Sequence, residues 1–138
     1  MAEYERSLTI EWGDCDEAGI VFYPTYFYWF DCTWQGMLRS KGLSQRTLRD
    51  AYGAITPLVD VGANFRSPVS YDDVITISAK LELSAAARLR IAYRVRCGDR
   101  HIASGHELRA WAVVRPDGSL KGASVPPEFI ALFEDGKA

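Results

Sequence analysis

The sequence predicts an α+β protein in which an antiparallel sheet of about five strands wraps around one long central helix. Two observations carry this expectation. A helical segment from Pro24 to Lys41 is apolar and aromatic around much of its circumference, so it needs cover on more than one side. Beyond it, segments with strict apolar and polar alternation dominate, each the signature of a strand with one buried face. The order of one strand, a long helix, a short helix and then four strands places helix and sheet in separate packed layers.

The first strand is read from Leu8, Ile10 and Trp12, which alternate with Thr9 and Glu11 and stop at Gly13. Pro24 suits the first position of the long helix, Arg39 and Lys41 suit the negative end of its dipole, and Gly42 suits the residue after it. Tyr23, Phe27, Phe30 and Trp34 share one helical face, and Tyr26, Trp29 and Met37 widen it. Ser44 is placed to cap a short helix over Gln45 to Ala51, which Gly53 closes. Thr56 to Phe65 reads as a strand broken by Gly62. Ile75 to Leu83 and Leu89 to Cys97 form the arms of a hairpin, followed by one long strand from Ile102 to Val114. Arg115-Pro116-Asp117-Gly118 has Pro and Gly where a type I turn favours them, and Pro126-Pro127 opens a short last helix.

A chain of 138 residues with 48% hydrophobic and 25% charged side chains is expected to form one domain over residues 1–138, with a core that needs no disulfide staples. Its net charge of -2 supplies no overall field toward nucleic acid or anionic membrane, so any anion site must be local. Cys15, Cys32 and Cys97 are too few and too scattered for a disulfide framework or a zinc site, which points to reduced thiols in a cytoplasm. The start of the chain has no apolar signal core. The longest apolar stretch, Ala18 to Phe30, is interrupted by Pro24 and falls short of the ~20 residues that span a bilayer. Neither nucleic acid nor membrane is expected as a partner, and no metal or cofactor is implied.

The segment Trp12 to Asp31 carries the chemistry. An aspartate on a loop, Asp16, is followed three residues later by Gly19 and soon after by the long helix. This brings a carboxylate near a helix N-terminus, where unpaired N–H groups favour developing negative charge. Such an arrangement suits acyl transfer: the carboxylate attacks or activates water, and a main-chain donor holds the oxyanion, worth roughly 3–4 kcal/mol in the transition state. A thiolate leaves without obligatory protonation, so one carboxylate can suffice for a thioester. The same pattern also serves as a plain cap or turn.

The run from Gly13 to Pro24 resembles the signature of the 4-hydroxybenzoyl-CoA thioesterase family within the hot-dog superfamily, and the similarity extends along most of the chain. The resemblance implies a hot-dog fold and hydrolysis of an acyl-CoA, with an aromatic acyl group such as 4-hydroxybenzoyl preferred. It places the catalytic carboxylate on Asp16, the carbonyl-polarising N–H on Tyr23, and close approach of the chain at Gly19. It also implies substrate-binding positions at Asp31 and Thr56, and CoA-binding positions at Arg88 and Lys121. The family's basic cluster between the third and fourth strands is replaced here by Ala85-Ala86-Ala87. A homodimer or homotetramer is implied, because hot-dog proteins join their sheets edge to edge.

Several neighbouring residues read more simply as structure. Asp14 is expected to serve the turn, and Arg90, Arg94 and Arg96 to line a solvated strand face. Cys15 has no histidine near it in sequence, and His101 and His106 lack metal spacing. A hot-dog dehydratase is disfavoured, since no histidine precedes the central helix. Other readings are a thioesterase for short aliphatic or carrier-protein-bound acyl groups, and a non-catalytic acyl-CoA-binding protein. A pure binder gains nothing from a desolvated carboxylate facing a thioester.

Overall fold

In the computed structural model, which describes residues 3–134, the first alternating segment forms β1 (Glu3–Thr9), with Tyr4, Arg6 and Leu8 half-buried between exposed neighbours. The strand begins and ends earlier than its apolar pattern predicts. Trp12–Asp14 is a 3-10 turn, and Trp12 is 75% exposed with its ring 4.9 Å from that of Tyr71. The reason is local: Asp14 accepts the Glu11 N–H at 2.9 Å and closes a capping box, which turns the chain out of the strand.

The long helix α1 (Pro24–Ser40) has Pro24 in its first turn, and Gly42 adopts a φ of 75° just beyond its end. Tyr26, Trp29, Phe30, Thr33, Trp34, Met37 and Leu38 are buried. Tyr23 is 61% exposed and Tyr28 also faces outward, so Tyr23 does not share the buried face and one flank of the helix stays open. In α2 (Gln45–Tyr52) the Ser44 Oγ accepts the Thr47 N–H at 3.1 Å, and Gly53 ends the helix in the left-handed region.

The segment read as one strand from Thr56 is two, β2 (Ala54–Ile55) and β3 (Leu58–Phe65), and the interruption falls at Thr56-Pro57 rather than at Gly62. Pro57 has no N–H to offer a ladder. Gly62 instead stays in register opposite His106, where a Cβ would lie 2.6 Å from the imidazole Cε1. The hairpin arms form β4 (Val74–Ala85) and β5 (Arg88–Cys97) as expected. The last long strand divides into β6 (Arg100–Ala110) and β7 (Ala112–Val114) at Trp111, whose N–H donates to the Ala87 carbonyl at 3.0 Å. A strand the sequence did not announce, β8 (Leu120–Gly122), follows the Arg115–Gly118 turn, and α3 (Pro127–Ala131) follows Pro126.

The main sheet is antiparallel in the order β1-β4-β5-β6-β3, and β2-β7-β8 form a second, smaller sheet. Ile75, Ile77, Ala79, Leu81, Leu89, Ile91, Tyr93 and Val95 of the inner face join α1 in one buried cluster. The ring of Phe30 stacks on Tyr93 at 4.5 Å and 3°. Full burial of a Phe side chain contributes about 1.5–3 kcal/mol. The stack needs Gly105 beside it, because a Cβ there would overlap the Phe30 ring, with its Cζ only 2.6 Å away. Replacing Gly105→Ala is therefore expected to destabilise the protein by about 1–3 kcal/mol, read as a lower denaturation midpoint with an unchanged slope.

Candidate active site

The loop that presents Asp16 is a miniature hairpin. The Asp16 N–H donates to the Ile20 carbonyl at 2.9 Å, the Gly19 N–H returns to the Asp16 carbonyl at 2.9 Å, and Cys15 pairs with Val21. Gly19 has a φ of 80°, which only glycine adopts without cost, and the left-handed residue lets the chain fold back in five residues. Ser70 Oγ donates to the Gly19 carbonyl, and Val21 N–H to the Val69 carbonyl at 2.9 Å, so the hairpin is tied to the segment before β4. Asp14 belongs to this framework: its carbonyl accepts the Phe22 N–H at 2.9 Å.

Asp16 Oδ1 accepts the Ala18 N–H at 2.9 Å, an Asx turn that fixes the carboxylate's direction. Its Oδ2 has no hydrogen-bond partner among the described residues, and the side chain is exposed rather than desolvated within one chain. Asp16 lines a cavity of about 430 Å³ together with Ile20, Val21, Tyr23, Tyr26 and Phe65, and the 66–69 segment completes the wall. The Tyr23 N–H, at the N-cap of α1, meets no acceptor among the described residues, while Phe22, Thr25 and Tyr26 donate to backbone carbonyls. A free carboxylate oxygen and a free helix-terminal donor thus border one cavity.

Asp31 and Thr56 lie elsewhere, joined by a residue that sequence reasoning passed over. Arg109, 5% exposed, donates to Asp31 Oδ1 at 2.7 Å, to the Thr56 carbonyl at 2.8 Å and to both oxygens of Glu107 at 3.0 Å. Tyr93 also donates to Glu107, itself 1% exposed, and the guanidinium sits 5.9 Å from the Trp34 ring centroid. The Thr56 hydroxyl is consumed as well, accepting the Trp34 indole N–H at 3.1 Å and donating to Gln45 Oε1 at 3.3 Å. Burial works against the Arg109 charge, but the Glu107 hydrogen bonds outweigh it and hold its pKa up. The only signal in the sequence was two charged residues, Glu107 and Arg109, spaced to share the inner face of β6. Neither Asp31 nor Thr56 lines the Asp16 cavity.

Arg88 and Lys121 do not approach that cavity within one chain. Arg88 opens β5 opposite Ala110, and Lys121 pairs with Val113, both at the Ala85–Arg88 end of the main sheet. Asp16 follows β1, whose Thr9 end pairs with Val74 at the opposite end. Val74 and Ala85 are eleven steps apart along β4, about 36 Å. The cations beside Asp16 are Arg66, which lines the cavity, and Arg100, which donates to the Pro68 carbonyl at 2.8 Å and braces the wall. Arg90 and Arg96 pair with Glu82 and Glu5 at 2.9 Å on the outer face of the sheet, as expected for a solvated stripe.

An antiparallel sheet packed on one long helix defines the hot-dog fold, and here a loop carboxylate and a cavity lie beside the helix entry. The chain belongs to the thioesterase-like superfamily, whose profile matches residues 10–133. It is similar to the 4-hydroxybenzoyl-CoA thioesterase of Pseudomonas sp. (strain CBS-3), 33% identical over 139 residues that cover 92% of this chain and 97% of the relative. The solved structure of that enzyme superposes with a TM-score of 0.83 at 30% identity, covering 94% of this chain and 98% of that one. A 1,4-dihydroxy-2-naphthoyl-CoA hydrolase of Synechococcus sp. (strain CC9605) is 26% identical over 106 residues, 73% of this chain and 71% of the relative. The structure of a gentisyl-coenzyme A thioesterase gives a TM-score of 0.80 at 27% identity, covering 95% of this chain and all (100%) of that one. No helix among the described residues is long and apolar enough to cross a membrane.

Two phenols of the site region titrate late. Burial pushes Tyr26 up to about 12, and burial with the neighbouring Glu107 carboxylate pushes Tyr93 well above its ordinary value. Below pH 10 folded and unfolded chains both keep these phenols neutral. Between pH 10 and about 12 the unfolded chain sheds protons that the folded chain retains, so stability falls as pH rises through that window. Thermal midpoints measured from pH 8 to 12 are expected to decline above pH 10, and less steeply for Tyr26→Phe than for wild type.

Proposed function

We propose that this chain hydrolyses acyl-CoA thioesters to a free acid and CoA, with an aromatic acyl group such as 4-hydroxybenzoyl as the substrate. Asp16 is the reacting carboxylate, the Tyr23 N–H receives the carbonyl oxygen, and Gly19 shapes the turn that brings them together. The observation that carries this reading is the shared cavity of Asp16 and Tyr23, with Oδ2 and the N–H both free of protein partners. Membership in the thioesterase-like superfamily supports the reaction class. The relatives' aromatic substrates and the aromatic lining residues Tyr26 and Phe65 support the acyl class.

Two chemical routes use this geometry. Asp16 Oδ2 can attack the thioester carbon, giving a tetrahedral oxyanion held by the Tyr23 N–H; the C–S bond then breaks, CoA thiolate leaves, and water hydrolyses the mixed anhydride. Alternatively Asp16 takes a proton from water as that water attacks the same carbon, and the same bond breaks. In both, the negative charge develops where the α1 dipole and its unpaired donor favour it.

A second copy of the chain completes the proposal. Leu58, Val59 and Phe65 are exposed on β3, an edge strand of the main sheet, and Phe65 also lines the cavity. Pairing at that edge covers apolar surface and unpaired backbone, and draws water away from Asp16. In a homodimer or homotetramer Arg88 and Lys121 serve CoA phosphates across the interface, because they lie too far along the sheet to reach the thioester of their own chain. Asp31 keeps one carboxylate oxygen free of protein partners for a substrate group, and Thr56 contributes to that region through its buried hydrogen bonds.

Thiol release from 4-hydroxybenzoyl-, benzoyl-, phenylacetyl- and short aliphatic CoA esters tests the reaction. Asp16→Asn is expected to lower kcat at least about 10²-fold while retaining binding, and equal turnover by both proteins would sink the assignment. Light scattering is expected to give a mass at least twice that of the 15.4 kDa chain; a monomer mass would contradict the interface.

A further inference from the structure

The turn that carries Asp16 is held in place by hydrogen bonds rather than by packing. Residues 16–18 and Ile20 are exposed, and a Cβ built on Gly19 would meet nothing within 4 Å. The base of the hairpin is well tied, with the Val21 N–H donating to the Val69 carbonyl and the Phe22 N–H to the Asp14 carbonyl, both at 2.9 Å. At the tip, one bond among the described residues arrives from outside the hairpin: Ser70 Oγ donates to the Gly19 carbonyl at 2.5 Å. Ser70 itself stands on a firm support. Its N–H donates to Asp73 Oδ2 at 2.9 Å, and the next residues exchange bonds with Ile10, the Ile10 N–H to the Asp73 carbonyl at 2.9 Å and the Asp72 N–H to the Ile10 carbonyl at 2.8 Å. Ile10 and Val69 belong to the core. This framework keeps Asp72 at a left-handed φ of 72°, which a residue other than glycine retains only where its surroundings impose it.

We infer that Ser70 is a positioning residue for the reaction: its hydroxyl, acting through the Gly19 carbonyl, fixes the turn from which Asp16 presents its carboxylate to the cavity. The inference rests on the reading of Asp16 as the reacting carboxylate. Two links carry the effect. The Gly19 carbonyl belongs to the peptide that follows the left-handed residue, so holding it stops the tip from swinging about its base at Cys15 and Val21. The Ala18 N–H of the same tip holds Asp16 Oδ1, so the direction of the carboxylate follows the tip. The donor that works with the carboxylate, the Tyr23 N–H, belongs to the start of α1 and does not move with the hairpin. The separation of the two groups therefore depends on how the tip is held, and a misplacement of about 1 Å costs on the order of 10²-fold in rate. Ser70 lines neither of the two cavities that Asp16 borders, so it reaches the reaction through Gly19 and not by touching the substrate.

The test measures kcat and KM for thiol release, with the best ester of the panel above, on wild type, Ser70→Ala and Ser70→Thr, together with amide hydrogen exchange of the hairpin in each protein. Ser70→Ala is expected to lower kcat roughly ten- to a hundred-fold and to leave KM within about twofold. Ser70→Thr keeps the hydroxyl donor and is expected to recover most of the loss. In Ser70→Ala the Gly19 and Ala18 amides are expected to lose protection while Val21, bonded to the Val69 backbone, keeps its own. Where Ser70→Ala does not fold, Ser70→Cys replaces it, since it keeps the bulk and offers only a weak donor. An unchanged kcat, a loss that Ser70→Thr does not recover, or a loss carried wholly by KM would each overturn the role. Absence of thiol release from every ester in wild type would count against the thioesterase reading alone. Exchange then decides the role of Ser70, and protection at Gly19 and Ala18 that survives the substitution, or falls equally at Val21, overturns it.

Discussion

The stack of Phe30 on Tyr93 is the contact on which the rest of the site depends. It fixes the rotation and height of α1 on the sheet, and it exists because Gly105 leaves room on the neighbouring strand. One turn earlier along the helix, that rotation sends Tyr26 into the cavity; one residue later, it sends Asp31 to Arg109. The helix entry is fixed by the same contact, so the free N–H of Tyr23 and the hairpin that carries Asp16 are held against a rigid support rather than on a loose loop. Tight interiors transmit such placement, since a packed helix cannot shift by a fraction of a turn without losing contacts on every side.

Beneath that stack lies a buried ionic group that does not stabilise the fold merely by being charged. Arg109, Glu107 and Tyr93 satisfy one another, and Asp31 adds a carboxylate from the helix. Taking charges out of water costs several kcal/mol per ion, repaid only when geometry and hydrogen bonds are complete, and here Glu107 and Arg109 of β6 are met by Tyr93 of β5 and Asp31 of α1. The result is a specific rather than a strong attachment. It ties α1, β6 and the Thr56-Pro57 break between β2 and β3 into one arrangement, and it explains why Thr56, read from resemblance as facing substrate, spends its hydrogen bonds inside the protein.

The same backbone device occurs twice with different consequences. Residues 16–20 and 115–119 each close with an N–H returning to the carbonyl three residues before it and a left-handed glycine, Gly19 or Gly118, at the same step. At 115–119 the device only joins β7 to β8, with Asp117 turned inward onto the Ser119 N–H and hydroxyl. At 16–20 it stands beside a helix N-terminus and a cavity, and the aspartate sits at the first position of the turn, where 115–119 has Arg115, with Oδ1 held by the Ala18 N–H. Local sequence made both turns; the position of the aspartate and its surroundings distinguish them.

By itself, the sequence determined what depends on neighbours along the chain. Periodicity gave the order of helix and strands, Ser44 and Gly53 gave the ends of α2, Pro24 and Gly42 bracketed α1, and the resemblance over Gly13 to Pro24 drew attention to Asp16, Gly19 and Tyr23. These are short-range matters of dihedral preference, capping and motif. The tertiary structure decided where long apolar runs break, at Thr56-Pro57 and Trp111, because that depends on which strand supplies the next partner. It placed Arg88 and Lys121 at the far end of the sheet from Asp16, joined Asp31 to Arg109 across 78 residues, and brought Tyr26 and Phe65 into the wall of the cavity that Asp16 lines. Alternation in a strand tells which face a side chain takes, but the free energy of a buried polar group is set by what stands opposite it, and residues remote in sequence supply that partner or leave it missing.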